Sequence, residues 1–486
     1  MKSFIEEVAN ILISESSDFS QLEIIVPNQR TGLFLKKAII EKCEKVCWMP
    51  KISTISDVFF NNSNLHQAEE LLLIYKLYSI YVTCTGSKEN FDDFYYWGEI
   101  ILNDFDDIDK YLVDASKLFS TISDIKEIDS RFESYQEEEI EIIKRFWIHI
   151  NDSKLSAHKQ KFLDLWQKMN EIYTGFRTEI LGQNIAYSGL IYRNVAEKIE
   201  SCIFDKEEYA VVGFNALNKC EKKLLSHLKS IKQVKFFWDA DKYYIDNEFQ
   251  EAGKFLRENI RKYPPYRNIG IVDSIKPLKK NIEVITAPSP VSQVKLIETI
   301  LTEWKSHDDY KPEKTAIVLG DENLLIPLMN SLPPFVEPYN VSMGFPIKNS
   351  SAFAFIFHLV SLRKRCRQNS DKCNFYFKDV VSLLDHTFVS SLFKNEAEIC
   401  KTLINTEKLI YLEADLLSSK HDFFTLLFAR EIYSVKEISI WIKSVCKEML
   451  DKISQKEEFV IDAEFLNKIL SRLLVLDDCI VTGQER

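Results

Sequence analysis

A strand-turn-helix pattern stands on either side of a long helical stretch, and this arrangement most constrains the fold. The segment LEIIVPNQRTGLFLKKAII (22–40) has an apolar run, a Pro-Asn-Gln-Arg turn and then an apolar-basic helix pattern. The segment EYAVVGFNALNKCEKKLLSHL (208–228) repeats that order. Two more strands are predicted in MPKISTISDVF (49–59) and QVKFFWDADKYY (233–244). Strands that alternate with helices in this way predict an α/β sheet.

Between these strands the chain has helical spacing of apolar residues at i, i+3 and i+4, as in AEELLLIYKLYSIYV. A proline-containing linker follows at 261–281, and a second α/β unit is predicted from IEVITAPSPVSQVKLIETIL onwards. The rest of the chain is again mostly helical in pattern. The predicted organisation begins with a first α/β domain at 1–61 and 207–262, which is interrupted by a helical insertion at 62–206. The start of a second α/β domain is predicted at 282–350, and a second helical insertion at 351–486.

Length and charge limit the classes of protein to consider. The 486 residues exceed one ordinary core and suggest about three domains. The net charge of -11 excludes a generally basic protein that coats nucleic acid, so any contact with DNA would be local. No run of 18 uncharged apolar residues and no signal peptide is present, which predicts a cytoplasmic protein without a membrane partner.

The ten cysteines form no CxxC pair, and Cys366 and Cys373 stand seven apart without a nearby histidine. This spacing gives weak support to a zinc site and favours reduced thiols buried as small hydrophobic groups.

The sequence lacks the two motifs that ATP hydrolysis requires. The only Gly-Lys pair is Gly253-Lys254, and Glu248 stands where a phosphate loop needs glycine. The strand AVVGF reaches Gly213 without the acidic residue that would hold Mg²⁺. We therefore expect no cofactor in this chain, since ATP and Mg²⁺ are expected only where both motifs for ATP hydrolysis are intact.

Several acidic residues have two interpretations. Asp239 and Asp241 either form a metal-binding pair on one side of a strand or lie solvated in a turn. Asp321 either binds a metal with Glu322 or caps the following helix. The match of Glu221-Lys222-Lys223 to a nuclease E-x-K motif lies in a helical pattern and is attributed to chance. No catalytic residue and no metal ligand is predicted.

Basic residues in SLRKRCRQ (361–368) include Arg363 and Lys364. They either contact phosphates or end a helix, where cations suit the helix dipole.

The order of the segments resembles the AddB-like (RecB-like) helicase–nuclease family that processes DNA double-strand breaks, in the version found in Bacteroidetes-type bacteria. The resemblance is carried by several segments in order: IIVPNQRTGLFLKKAI, MPKISTISDVF, VVGFNALNKCEKKLLSHL, FFWDADKYY with EAGKFLREN, ITAPSPVSQVKLIETIL, TAIVLGDENLLIPLMNSLP and YNVSMGFPIKNSSAF. It covers most of the chain and implies two RecA-like domains, similar to superfamily-one helicases, with large all-helical insertions.

Relatives usually continue into a C-terminal nuclease domain. Since this sequence has no such motif, we expect it to be the N-terminal portion of a longer protein.

The resemblance implies a helicase-like DNA-binding subunit or portion in double-strand-break repair and recombination, with a degenerate ATP site. The implied partners are single-stranded DNA or duplex ends, and an AddA-like helicase–nuclease subunit. The turns after the first two strands would contact DNA phosphates, through Arg30, Thr31, Ser53 and Thr54. Alternatively, Thr54 caps a helix and Arg30 pairs with an acid.

Two other functions stay open at this point. One is an active ATP-dependent helicase and exonuclease whose chemistry lies in a C-terminal domain beyond this sequence. The other is an interaction scaffold that does not bind DNA.

Overall fold

The computed structural model describes residues 3–15, 18–43, 48–120, 157–275, 279–307, 310–344, 346–369, 372–430, 432 and 434–484. The chain is a mixed α/β protein with a parallel sheet. It forms two compact units, Met1–Lys280 and Asn281–Arg486, called here the N-terminal and the C-terminal unit.

The N-terminal unit is organised around a four-stranded sheet in which every pair is parallel. Its strands are β1 (Leu22–Val26), β2 (Lys51–Thr54), β5 (Glu208–Val212) and β6 (Gln233–Phe237), in the spatial order β2-β1-β5-β6. All four strands fall in the segments where the sequence predicts them. Short parallel bridges join β3 (His66–Gln67) to β4 (Ile185–Ala186), and β7 (Ala240–Asp241) to β8 (Ile271–Val272).

Eleven α-helices are described in this unit. They are α1 (Phe4–Glu15), α2 (Gln29–Lys42), α3 (Ile55–Asn61), α4 (Glu70–Thr85), α5 (Phe91–Lys110), α6 (Ala115–Ser120), α7 (Ala157–Gly182), α8 (Ser188–Glu197), α9 (Lys219–Ile231), α10 (Lys242–Ile245) and α11 (Lys254–Lys262).

Both faces of the sheet are covered, because alternate residues of a strand point to opposite sides. On one face, Ile24 of β1 joins a core with Val8 of α1 and Leu35 of α2. On the other face, Ile25 joins a core with Phe59 of α3 and Leu224 of α9. Burial on both faces explains why four of the five residues of β1 are apolar, rather than every second one.

The helices between β2 and β5 enclose a separate apolar core and one buried charge cluster. The carboxylate of Asp109 on α5 accepts hydrogen bonds from the hydroxyls of Tyr173 and Tyr187, and Arg193 lies beside it. The thiol of Cys220 on α9 donates to the Asp109 carbonyl over 3.4 Å, which ties the helical region to a helix that covers the sheet. The part of the predicted helical stretch at 121–156 lies outside the described residues.

The C-terminal unit has ten described α-helices, and those from residue 351 onwards surround one apolar core that includes Phe355, Leu384 and Val445. They are α12 (Pro290–Ser306), α13 (Leu325–Met329), α14 (Ser351–Lys364), α15 (Phe377–Asp385), α16 (Thr387–Leu392), α17 (Lys394–Glu407), α18 (Ala414–Ser418), α19 (Asp422–Leu427), α20 (Val435–Ile453) and α21 (Val460–Gln484).

This unit differs from expectation in that 351–486 is not all helical. An antiparallel sheet of order β11-β10-β9 consists of β9 (Arg367–Asn369), β10 (Lys372–Tyr376) and β11 (Tyr411–Glu413). Its central strand buries Phe375 completely, which a short aromatic-rich strand can do between two neighbours.

The predicted second α/β unit at 282–350 contains helices α12 and α13 but no strand among its described residues. Its strand-like runs leave Val284 and Val318 about nine-tenths exposed. A β-strand requires a hydrogen-bonded neighbour, and the described residues provide none beside these runs. A strand-like composition alone therefore does not produce a sheet here.

Candidate functional site: the carboxyl edge of the parallel sheet

The strand order predicts a ligand-binding crevice at one edge of the sheet. From β1 the chain moves outward to β2, and it later returns to the opposite side of β1 to form β5. The connections after β1 and β5 therefore leave in opposite directions, which is the topological switch point where α/β sheets bind ligands. We call the space beside Pro27–Thr31 and Gly213–Asn215 the switch-point crevice.

The first wall of the crevice is the beginning of α2. Asn28 is the N-cap residue, and its side-chain oxygen accepts hydrogen bonds from the Thr31 backbone N–H (2.9 Å) and the Thr31 hydroxyl (3.1 Å). The Thr31 hydroxyl therefore has no proton left to donate to a ligand. Arg30 is exposed in the first turn, and in the described part of the chain its guanidinium makes no ion pair or hydrogen bond.

The second wall is the turn after β5. Gly213 has φ of 77°, in the left-handed region that glycine adopts without strain, and its N–H donates to the Phe237 carbonyl over 3.0 Å. A Cβ atom on Gly213 would lie 3.8 Å from the Thr31 methyl carbon, so the two turns are neighbours. In the sequence, Gly213 stands at a strand end that lacks an acidic residue, and glycine after an apolar strand is the signal that predicts this turn.

Two more predicted site residues, Ser53 and Thr54, use their hydroxyls within the fold. Ser53 is buried within β2 and donates to Glu23 over 2.6 Å, so the structure does not bring it to the surface of the crevice. Thr54 forms a capping box with Asp57 at the start of α3, donating its hydroxyl over 2.7 Å. The interpretation of Thr54 as a helix cap is confirmed. The interpretation of Arg30 as half of an ion pair finds no partner within the described residues.

Asp239 and Asp241 do not form a pair at this edge. Asp239 is exposed after β6, whereas Asp241 is buried. The Asp241 carboxylate accepts from the N–H groups of Tyr243, Ser274 and Ile275 and from the Ser274 hydroxyl. The hydrogen bond from the Ser274 N–H, together with the others, lowers the pKa of Asp241 to about 2. Its role is to hold the segment after β8 against the sheet.

The acidic residues considered as metal ligands serve structural roles as well. No cluster of three or more histidine, cysteine, aspartate or glutamate side chains suited to a metal occurs in the described residues. Asp321 accepts from the Asn323 N–H at the start of a 3₁₀ helix, so its interpretation as an N-cap is confirmed.

Arg363 and Lys364 lie in the C-terminal unit, at the end of α14. The Arg363 guanidinium packs 4.4 Å from the centre of the Trp441 ring and donates to the Ala429 carbonyl, while burial lowers its pKa. Lys364 is exposed. Arg363 therefore packs within its own unit, and only Lys364 presents a solvated charge.

A polar cavity of about 350 Å³ opens at the opposite edge of the sheet, where the strands begin. Its lining includes Lys51, Asn62, Asn194 and Lys198. Asn62 already accepts from the Ile203 N–H and donates to the Val58 carbonyl. The cavity lies away from the turns that the sequence predicts as binding elements.

Comparison with protein-family models and with curated proteins finds no match to this chain. No helix in the described residues combines the length and the apolar character needed to cross a membrane.

Proposed function

We propose that this chain is a DNA-binding, helicase-like portion of an AddB-like helicase–nuclease that acts in double-strand-break repair and recombination. In this proposal the N-terminal unit is a RecA-like domain with a degenerate nucleotide site. It would act beside an active AddA-like helicase–nuclease subunit. The support is the ordered set of family-like segments, together with a parallel sheet that has a switch point.

The observation that carries the proposal is the position of Arg30. Its exposed side chain belongs to the first turn of α2, and the next residue, Thr31, is the one that lies beside Gly213. Arginine offers several fixed N–H donors, which suit phosphate oxygens. The partial positive charge at the start of a 14-residue helix also favours a nearby anion.

The hydrogen-bond pattern restricts the contact to one predicted side chain. The hydroxyls of Thr31, Ser53 and Thr54 already donate to Asn28, Glu23 and Asp57. Arg30 is thus the donor that remains for DNA among the four predicted residues of this edge. A backbone phosphate bound here would be read by charge, without base specificity.

The same turn argues against ATP as the ligand. A phosphate loop wraps a nucleotide with glycine-rich backbone, but the residues of this turn are Pro27, Asn28, Gln29 and Arg30. The Asn28 side chain occupies the capping position that a phosphate would otherwise take. The protein would therefore hold single-stranded DNA without nucleotide-driven movement.

Titration of the full chain with fluorescent single-stranded DNA over a salt series tests the proposal. We expect binding that weakens with salt, and an Arg30→Gln variant whose slope of log affinity against log salt is lower by about 0.7. Lys37→Gln is the matched control, because it removes one charge from the same helix at an exposed site that pairs with Glu41. It should leave that slope unchanged.

The absence of salt-dependent DNA binding would contradict the proposal and favour an interaction scaffold. Release of phosphate from ATP–Mg²⁺ by this chain would contradict the degenerate nucleotide site.

A further inference from the structure

Two cysteines of the C-terminal unit have their sulfur atoms in contact. The Sγ atoms of Cys366 and Cys373 lie 2.8 Å apart, and both cysteines are free thiols in the structure. Cys373 is buried in β10, whereas Cys366 is only partly buried. A small molecule can therefore reach the pair from the Cys366 side.

The backbone explains why the pair forms. Cys366 follows the end of α14, where its N–H donates to the Arg363 carbonyl over 3.2 Å. The chain then enters β9, which pairs antiparallel with β10 so that Arg367 lies opposite Asn374. This hairpin returns the chain past the end of α14 and brings Cys373 alongside Cys366.

A fixed positive charge accompanies the two thiols. The Nη1 atom of Arg363 lies 3.8 Å from the Cys373 sulfur. Its guanidinium is held by packing on Trp441 and by the bond to the Ala429 carbonyl. A hydrogen bond from Cys366 and this guanidinium lower the pKa of Cys373. The thiolate is the reactive form of cysteine, and a neighbouring arginine favours it.

We propose that Cys366 and Cys373 are a modification site that forms a reversible intramolecular disulfide by exchange with a small-molecule disulfide of the glutathione class. Buried cysteines that serve only as small hydrophobic groups need no guanidinium at the sulfur. Cys400 and Cys446 illustrate that simpler case, since both are buried free thiols and burial raises the pKa of each.

The exchange takes place in two steps. The Cys366 thiol passes its proton to the Cys373 sulfur across the 2.8 Å contact between the two sulfurs, and the Cys366 sulfur then attacks one sulfur of the small disulfide, breaks its S–S bond and releases one small thiolate, which takes up that proton. The Cys373 thiolate then attacks the Cys366 sulfur, forms the protein disulfide and expels the second small thiolate. The protein loses two electrons, the small disulfide gains them, and the two cysteine protons end on the two released thiols.

Disulfide mapping of the intact chain tests the proposal directly. We expect incubation with oxidised glutathione to yield a peptide pair joined through Cys366 and Cys373, with both thiols recovered after dithiothreitol. The Cys373→Ser variant should retain one glutathione on Cys366, because the second step cannot occur. The Cys202→Ser variant is the control, since it removes another partly buried thiol and should leave the Cys366–Cys373 disulfide intact.

A comparison with the unfolded chain separates a prearranged pair from two cysteines that are merely near in sequence. At the same concentrations of reduced and oxidised glutathione, the ratio of protein disulfide to protein dithiol should be at least ~10-fold higher in native buffer than in concentrated urea. Equal ratios would overturn the proposal. So would a wild-type chain that keeps both thiols open to alkylation, or one that retains glutathione on Cys366 without closing the disulfide.

Discussion

The carboxylate of Asp109 lies 3.3 Å from the Nη1 atom of Arg193, and the Asp109 side chain is completely buried. Burial raises the pKa of Asp109, while the guanidinium groups of Arg177 and Arg193 and the two tyrosine hydroxyls oppose that rise. Three helices supply these groups, so the cluster fixes their relative position by charge as well as by apolar packing.

Removal of the Asp109 carboxylate should therefore destabilise the fold strongly. We expect Asp109→Ala to lower the free energy of unfolding by about 3–5 kcal/mol, because Arg193 would lose the buried carboxylate that offsets its charge and keep only the half-exposed Glu197. Urea unfolding measures the change. Glu99→Gln is the control, since it removes a carboxylate from the exposed side of the same helix and should change stability by less than about 0.5 kcal/mol. Equal effects of the two substitutions would show that the cluster is not an important source of stability.

Gly189 allows helix α8 to approach helix α5 closely. A Cβ atom at this position would overlap the Asp106 carbonyl oxygen, and the Gly189 N–H donates to the Asp106 carboxylate. We expect Gly189→Ala to cost about 1–3 kcal/mol by forcing the helices apart. Gly182→Ala is the matched control, because among the described residues no atom beyond its own stretch of helix lies within 4 Å of its Cβ position. Thermal unfolding should show a loss for the first variant and none for the second.

Gly213 combines a left-handed backbone with open space. The cost of Gly213→Ala should come from the backbone alone, at about 1–2 kcal/mol, because a Cβ atom would meet no neighbour closer than 3.8 Å. Asparagine tolerates this conformation better, so Gly213→Asn should cost less. Chemical denaturation ranks the two variants. A larger cost for asparagine would show that space beside Thr31, rather than the backbone, limits this turn.

His386 gives the C-terminal unit a dependence on pH. Its Nδ1 atom accepts from the Phe388 N–H, and its Nε2 atom lies 3.0 Å from the Ser351 carbonyl. Burial lowers the pKa of His386 from 6.5 to about 4. Between about pH 4 and pH 6.5, His386 therefore binds a proton in the unfolded chain but not in the folded chain. Stability from neutral His386 is complete above pH 6.5 and is lost as the pH falls towards about 4.

The comparison of wild type with His386→Asn measures this effect, because asparagine can still cap α16 but does not titrate. We expect the stability difference between the two proteins to shrink by at most about 3 kcal/mol from near-neutral to acidic pH. His358 lies beside His386, and its charge also lowers the pKa of His386, so it adds to the same pH dependence; Asp379 acts on His358. A difference that stays constant with pH would contradict the assignment.

Strands β1, β5 and β6 could be predicted because each is a short, mostly apolar run that ends at a turn, whereas β2, with the sequence KIST, was indicated by its Ser/Thr-rich turn. Residues 22–26 and 208–212 are buried on both faces and need no periodicity to be recognised. The Asp109 cluster could not be predicted, since it joins a residue of α5 to Tyr187, 78 positions later in the chain. The pattern at 282–350 predicted strands from composition, but sheet formation depends on neighbours that a local pattern does not specify.

The candidate site was predictable in position but not in chemistry. The Pro-Asn-Gln-Arg turn indicated where a ligand would approach, and Arg30 is exposed there. Whether a hydroxyl can donate to a ligand depends on whether it already donates within a helix cap. The cap partner lies three residues away in the chain, and only the folded backbone brings it close. The hydroxyls of Thr31 and Thr54 both serve such caps.

The register of β1 with β5 affects the order in which the protein folds during its synthesis. β1 leaves the ribosome early, yet the neighbour that pairs with Leu22 begins only at Glu208. The helices between β1 and β5 have their own core. We therefore expect this helical region to fold on the ribosome before β1 can pair with β5. Proteolysis of chains arrested at increasing lengths would reveal that order, with protection of the helical core before protection of β1.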